Sequence, residues 1–364
     1  MTIQRTWFYG DLVARLVHVF ERGLTRVVAS SLLAACLVAA VPSAAAASAK
    51  PPRFDGLFGI AASSRHLWVT NADSNSITEL NVNTGTVIRV IKAKDDGLVS
   101  PESITYSGSH LWVSDVGDNS ITELNASNGS LVRIISAKAD RFNTPTATAV
   151  SGPYLWVLNI NGNSITELNT SNGSLVRVID AHGRITGANE SYGPDDMTIS
   201  DSHMWVTNFS NTADSIVEFN ANSGSLVRII RVKAYWNNNP GCIAVDGSHV
   251  WALSMSSNQD SVAEFNALTG AETRVVALGA SGAGFPDGLA LIDSHVWVAN
   301  YDGNSVTELD AASGAVIRLI KAEADDLKDP TLTVASGSHV WIVNLQSWIT
   351  ELNTSDGSLV RVIK

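Results

Sequence analysis

The sequence predicts an all-β fold: a seven-bladed β-propeller with four antiparallel strands per blade, following an N-terminal signal peptide. Three observations carry this. Tryptophan recurs at Trp68, Trp112, Trp156, Trp205, Trp251, Trp297 and Trp341, at spacings of 44, 44, 49, 46, 46 and 44 residues. Glutamate recurs at Glu79, Glu123, Glu167, Glu218, Glu264, Glu308 and Glu351, with a glycine six residues later and an arginine ten residues later every time. Each unit also divides into four short runs rich in Val, Ile and Trp, separated by Gly, Asn, Asp and Ser. A period near 45 residues, with four strands per unit and no competing helical period, describes stacked propeller blades.

The fifth unit shows the strands plainly: "CIAVDG", "HVWALS", "SVAEFN" and "TRVVAL". The first two are apolar on both faces, as a sheet sandwiched between neighbours requires. The tryptophans lie mid-strand, where a large ring fills the wedge between blades. The recurring glycines end Asn- and Ser-rich turns and supply positive φ in tight hairpins. Glu and Arg sit on the third and fourth strands, directly opposite or diagonal. They read as one cross-strand ion pair per blade, worth roughly 0.2–1 kcal/mol. His66, His110, His203, His249, His295 and His339 each lie two residues before a tryptophan, with Tyr154 in the seventh slot. Six such positions around a ring cannot make one metal site, and they read as turn residues of the first hairpin.

Residues 1–49 stand apart. Arg22 and Arg26 precede an apolar run from Val27 to Val41, and "PSAAAASA" follows at 42–49. This describes a secretory signal peptide cleaved after Ala47 or Ala49, too short for a comfortable membrane span. The alternative is a lipid anchor at Cys36, because "LAAC" at 33–36 resembles a lipobox. Residues 50–56 then form a short linker and 57–364 the propeller, expected to be monomeric. Residues 1–49 hold four of the 24 basic and two of the 35 acidic residues, so 20 and 33 remain, a net charge of −13. That disfavours nucleic acid and anionic membranes as partners and suits a hard cation. Cys242 remains as the single cysteine and reads as a small core residue.

The motif "WVTN" at 68–71 and 205–208, with "WVAN" at 297–300, resembles the signature of YVTN-type β-propellers. The continuation "GNSVTELD" to "SG", residues 303–314, resembles that family too. NHL-repeat propellers and the streptogramin B lyases are similar. The resemblance covers about residues 54–364. It implies a propeller fold and a function that is either binding or metal-assisted catalysis.

Length changes mark the face that is free to vary. Glu to Arg never changes. Arg to the next Trp is 23 residues in five cases and 28 once, and Trp to Glu ranges from 10 to 13. These changes fall between strands two and three and between blades. In an up-and-down blade both loops emerge on one rim, where function concentrates. Aromatic residues outside the tryptophan repeat gather there: Phe142, Tyr192, Phe209, Tyr235, Trp236, Phe285, Tyr301 and Trp348. They suit a protein or carbohydrate ligand, or else pack under their own loops. Acids gather too. Glu102, Asp195 and Asp287 each follow a proline that opens the innermost strand of blades two, four and six, and Asp196 is adjacent. Carboxylates around one axis could hold Ca²⁺ or Mg²⁺. The competing expectation is that Asp and Asn at strand ends bond their own turns.

No G-x-S-x-G elbow, P-loop, H-E-x-x-H or C-x-x-C is present. "GASGAG" at 279–284 joins two strands and is no dinucleotide site. The leading expectation is therefore a secreted binding module that holds a protein or glycan on the variable rim. A second is a metal-dependent hydrolase or lyase, a lactonase or streptogramin-lyase-like enzyme. It would carry a cation at the channel mouth and use His182, the only non-repeat histidine after residue 49, as base. A third is a ligand-free structural surface protein. Both chain ends carry a complete blade, so closure by side-chain packing, without an exchanged strand, is expected.

Overall fold

The computed structural model describes residues 54–92, 97–136, 142–180, 194–208, 214–231, 240–254, 260–279, 283–321, 326–345 and 347–364. Seven antiparallel sheets follow one another, each of four consecutive strands in chain order. Blade one holds Leu57–Ala62, His66–Asn71, Ser76–Asn81 and Val87–Ile91. Blade seven holds Pro330–Ser336, His339–Asn344, Trp348–Asn353 and Leu359–Ile363. First strands of neighbouring blades touch, and that of blade seven touches that of blade one, so the first strands are innermost and the ring closes. Among the described residues no strand is exchanged between the end blades.

Burial corrects one expectation. Strands two and three, not one and two, are buried on both faces: His66–Asn71 and Ser76–Asn81 are buried at all but one position each. The first strand, Leu57–Ala62, is buried only at alternate residues. The innermost strand borders the central channel, whereas the middle pair has a blade on either side. The fourth strand is the outer edge, and Ile88 and Val90 stay 43% and 44% exposed there.

The core lies in the seams. Trp68 packs against Leu111, Val113 and Leu124 of blade two. Trp156 meets Met204, Val206 and Phe219 of blade four. Trp341 meets Leu67, Val69 and Leu80 of blade one, which closes the ring. All seven rings are essentially excluded from solvent. Each indole removes roughly 200 Å² from water, about 5 kcal/mol by area.

The register settles what the glutamates and arginines do. Glu79 lies directly opposite both Trp68 and Arg89, and the same three-residue row recurs in every blade. A bulge follows each glutamate, between Glu79 and Leu80 in blade one. The expected cross-strand ion pair forms in every blade, and it forms on a buried carboxylate, because every one of these glutamates is buried. Arginine Nε approaches one carboxylate oxygen at 2.5–2.7 Å in six blades, and Arg274 does the same to Glu264.

The histidines are corrected too. Their backbone does meet the turn, as where the His66 carbonyl accepts from Ser63 N at 2.8 Å, but their side chains hold the other carboxylate oxygen. His66, His110, His203, His295 and His339 place Nδ1 at 2.5–2.9 Å from it, and His249 places Nε2 at 3.5 Å. A buried carboxylate demands such partners, since desolvating an unpaired charge costs several kcal/mol.

Each arginine also crosses a seam. Nη2 of Arg89 donates to the Ser127 carbonyl at 2.8 Å, Arg133 to Ser171 at 3.1 Å and Arg177 to Asn222 at 3.0 Å. Arg228 and Arg274 reach Leu268 and Ala312, both at 2.8 Å. The repeat glycine makes room for this arm. Gly129 has φ +74°, and a Cβ there would lie 2.9 Å from Ile91 Cγ1. At Gly85 it would lie 2.7 Å from Arg361 Cδ. Turn geometry and close approach both require glycine.

Candidate functional site

Four strands in simple succession place the strand two–three loops and the blade-to-blade linkers on one rim, as the length variation implies. That rim is stapled at two levels. Within a blade, the asparagine ending strand two ties the incoming linker to strand three. Asn344 Oδ1 accepts from Lys328 N at 2.9 Å while its Nδ2 donates to Thr350 at 2.9 Å. Asn71 and Asn159 repeat the pattern. Between blades, residues before strand three reach the next linker. Asn75, Asn119 and Asn304 accept from Ser100 N, Thr144 N and Asp329 N at 2.8, 2.6 and 2.7 Å. All three asparagines adopt positive φ, which their side chains tolerate best after glycine. Variable loops therefore rise from a stiff base.

The acids occupy the inner edge of this rim. A register shift opens the innermost strands, between Pro101 and Ile104, Pro194 and Met197, and Pro286 and Gly288. Glu102, Asp195 and Asp287 sit in those irregular steps. The carbonyl of Glu102 accepts from Thr70 Oγ1 at 3.1 Å, and that of Asp287 from Cys242 Sγ at 2.9 Å. Cys242 itself is half-buried on an innermost strand. Asp196 bridges blades: Oδ1 accepts from Met197 N at 2.8 Å and Oδ2 from Ile243 N of blade five at 3.0 Å. Burial pushes its carboxyl up to about 6 against those two bonds. Among the described residues, no three His, Cys, Asp or Glu side chains gather as a cation site would need.

The aromatic candidates divide. Phe142 is buried in the seam of blades two and three, against Trp112, Leu155 and Val157. Phe285 and Tyr301 stand together at the rim of blade six, rings edge to face with centroids 6.3 Å apart. Both are half-buried. The Tyr301 N–H donates to the Phe285 carbonyl at 2.7 Å, and the Phe285 N–H to Asp260 Oδ2 at 3.0 Å. Burial raises the Asp260 carboxyl, Phe285 N–H opposes that, and nearby Asp302 adds to it. Trp348 is half-buried, with Lys364 Nζ 5.4 Å from its ring centroid. His182, Tyr192, Phe209, Tyr235, Trp236 and residues 1–49, where a signal peptide or a lipid anchor at Cys36 is expected, lie outside the described residues. No described helix is long and apolar enough to cross a membrane.

Comparison with known proteins supports the architecture. No family model matches the chain, and no curated protein matches it. Many solved structures do. The hydrazine synthase of Kuenenia stuttgartiensis superposes with a TM-score of 0.68 at 16% identity, over 86% of this chain and 99% of that one. A computationally designed protein, Ika8, gives 0.62 at 14%, over 86% and 88%. The β-propeller domain of Myceliophteria thermophila Cps50 (Swd1) gives 0.64 at 8%, over 80% and 94%. The chain is a seven-bladed β-propeller. At these identities the likeness is one of fold.

Proposed function

We propose that this chain is an exported, YVTN-type propeller that works as an interaction module and holds a protein or glycan on its variable rim. The observation that carries this is the Phe285–Tyr301 pair beside Asp260 and Asp302. Two aromatic rings fixed by backbone hydrogen bonds offer flat apolar area at low entropic cost, and adjacent carboxylates accept hydroxyl or amide donors. Rim loops on a rigid ring are the usual place for such recognition.

The test is binding of the purified protein to an array of cell-surface glycans and to secreted proteins. Phe285→Ala/Tyr301→Ala serves as the rim variant. Leu268→Ser serves as the control, because Leu268 is 77% exposed on a strand three–four turn of the opposite rim. Ligands lost by the rim variant and kept by the control support the reading. Ligands lost only by Leu268→Ser would place recognition on the wrong rim.

A further inference from the structure

The rim of blade six departs from its repeat in three ways that meet at one spot. The residue after the end of strand two donates its N–H to the carbonyl of the residue before the innermost strand. In blades one, two, three and seven this bridge joins residues without rings, as Ala72 to Gly56 at 2.8 Å and Val116 to Ser100 at 3.3 Å. Blade six makes the same bond, at 2.7 Å, from Tyr301 to Phe285. The bond itself needs no aromatic residue, yet blade six places two there, edge to face at 71°.

Phe285 also holds a backbone its size disfavours. Its φ is +36°, in a slot filled elsewhere by Gly56, Ser100, Thr144 and Asp329. A bulky residue in the left-handed region is an outlier, and such outliers gather at functional sites.

The third departure is charge. Asn75, Asn119 and Asn304 accept the N–H of the next linker with a neutral amide. Between blades five and six the acceptor is Asp260 Oδ2, 3.0 Å from Phe285 N. Stapling does not require that charge, and Asp260 Oδ1 is buried without a donor. Asp302, next to Tyr301, is exposed and close enough to repel Asp260. Among the described residues neither carboxylate has a basic partner. Ring faces and unpaired carboxylates attract the same ligand, a cation. Neutral hydroxyls would be served as well by the amides of the other blades.

We propose that the corner formed by Phe285 and Tyr301, with Asp260 bonded to the Phe285 backbone and Asp302 beside Tyr301, holds a lysine or arginine side chain of a basic protein segment. This rests on the interaction reading above and narrows its ligand to a cationic protein. The chain's net charge of −11 adds long-range attraction for such a partner.

The test is fluorescence anisotropy of labelled lysine–serine and arginine–serine peptides with the purified protein, beside the lysine peptide acetylated at every amine. Tyr301→Ala and Phe285→Ser copy Ala72 and Ser100, so the backbone bridge is kept. Wild type should bind both charged peptides and bind the acetylated one at least about tenfold more weakly. Each ring variant should weaken the charged peptides about 2- to 30-fold, and Asp302→Asn about 2- to 5-fold. Asp246→Asn removes an exposed acid from the opposite rim and should leave binding unchanged. Equal affinity for the acetylated peptide would overturn the proposal, as would equal losses from Asp302→Asn and Asp246→Asn, because binding would then not read charge at this corner. Failure of both charged peptides to bind would overturn it too. A neutral glycan lost by Phe285→Ser would in that case leave the interaction reading standing, and the lack of any such ligand would remove both.

Discussion

Arg361 Nη2, in the last strand of blade seven, donates to the Asn83 carbonyl of blade one at 2.9 Å. The contact spans the two ends of the propeller yet copies the bond from Arg89 to Ser127 inside it. Ser336 Oγ adds a bond to the Ser63 carbonyl at 3.0 Å, and Trp341 packs into blade one as each tryptophan packs into the next blade. Closure thus needs no exchanged strand, because the closing seam uses the same side chains as the internal ones.

Removing one member of the buried row leaves a charge without its partner. Arg133→Met should lower stability by about 3–5 kcal/mol, because Glu123 stays buried. Glu123→Leu combined with Arg133→Met should recover most of that loss. Urea midpoints of the two singles and the double measure it. A double variant as unstable as the sum of the singles would mean that Glu123 and Arg133 are not coupled.

Two glycines with similar backbone separate conformation from crowding. Gly108 has φ +60° and open space around a Cβ, so Gly108→Ala should cost about 1–2 kcal/mol for the left-handed conformation alone. Gly129→Ala must also displace Ile91 and should cost about 1–3 kcal/mol more. Equal costs in thermal unfolding would show that the seam yields freely.

Blade three lacks the histidine, and Glu167 Oε1 is buried without a partner. Burial raises its carboxyl against the pull of Arg177. Tyr154→His should supply the missing donor and raise stability by about 1 kcal/mol at neutral pH, net of the packing lost from Tyr154. Glu167 has a raised folded value, so the gain should fade on acidification as that carboxylate takes up a proton. No gain at neutral pH would mean Tyr154 already compensates by packing.

The fold was legible because repetition fixes offsets. Glu79 and Arg89 keep their spacing in every blade and Trp68 and Glu79 in four of the seven, and insertions avoid the hairpin that joins Glu to Arg. What the histidines do was hidden by register. His66 looks like a turn residue until Trp68 is known to oppose Glu79, which brings the imidazole diagonally onto the carboxylate. The constant two-residue offset from the tryptophan, with Tyr154 alone departing, was the available signal. The rim was legible as a face but not atom by atom. Phe142 and Phe285 occupy similar loops, yet one fills a seam and the other stands beside Tyr301. Packing that spans blades leaves no local trace in the chain.

The most direct measurement compares urea unfolding of Arg361→Met with that of Arg133→Met. A ring closed by seven equivalent seams predicts the same loss for both, about 3–5 kcal/mol. An Arg361→Met variant as stable as wild type, beside a destabilised Arg133→Met, would contradict it, because blades seven and one would then not be joined as the others are.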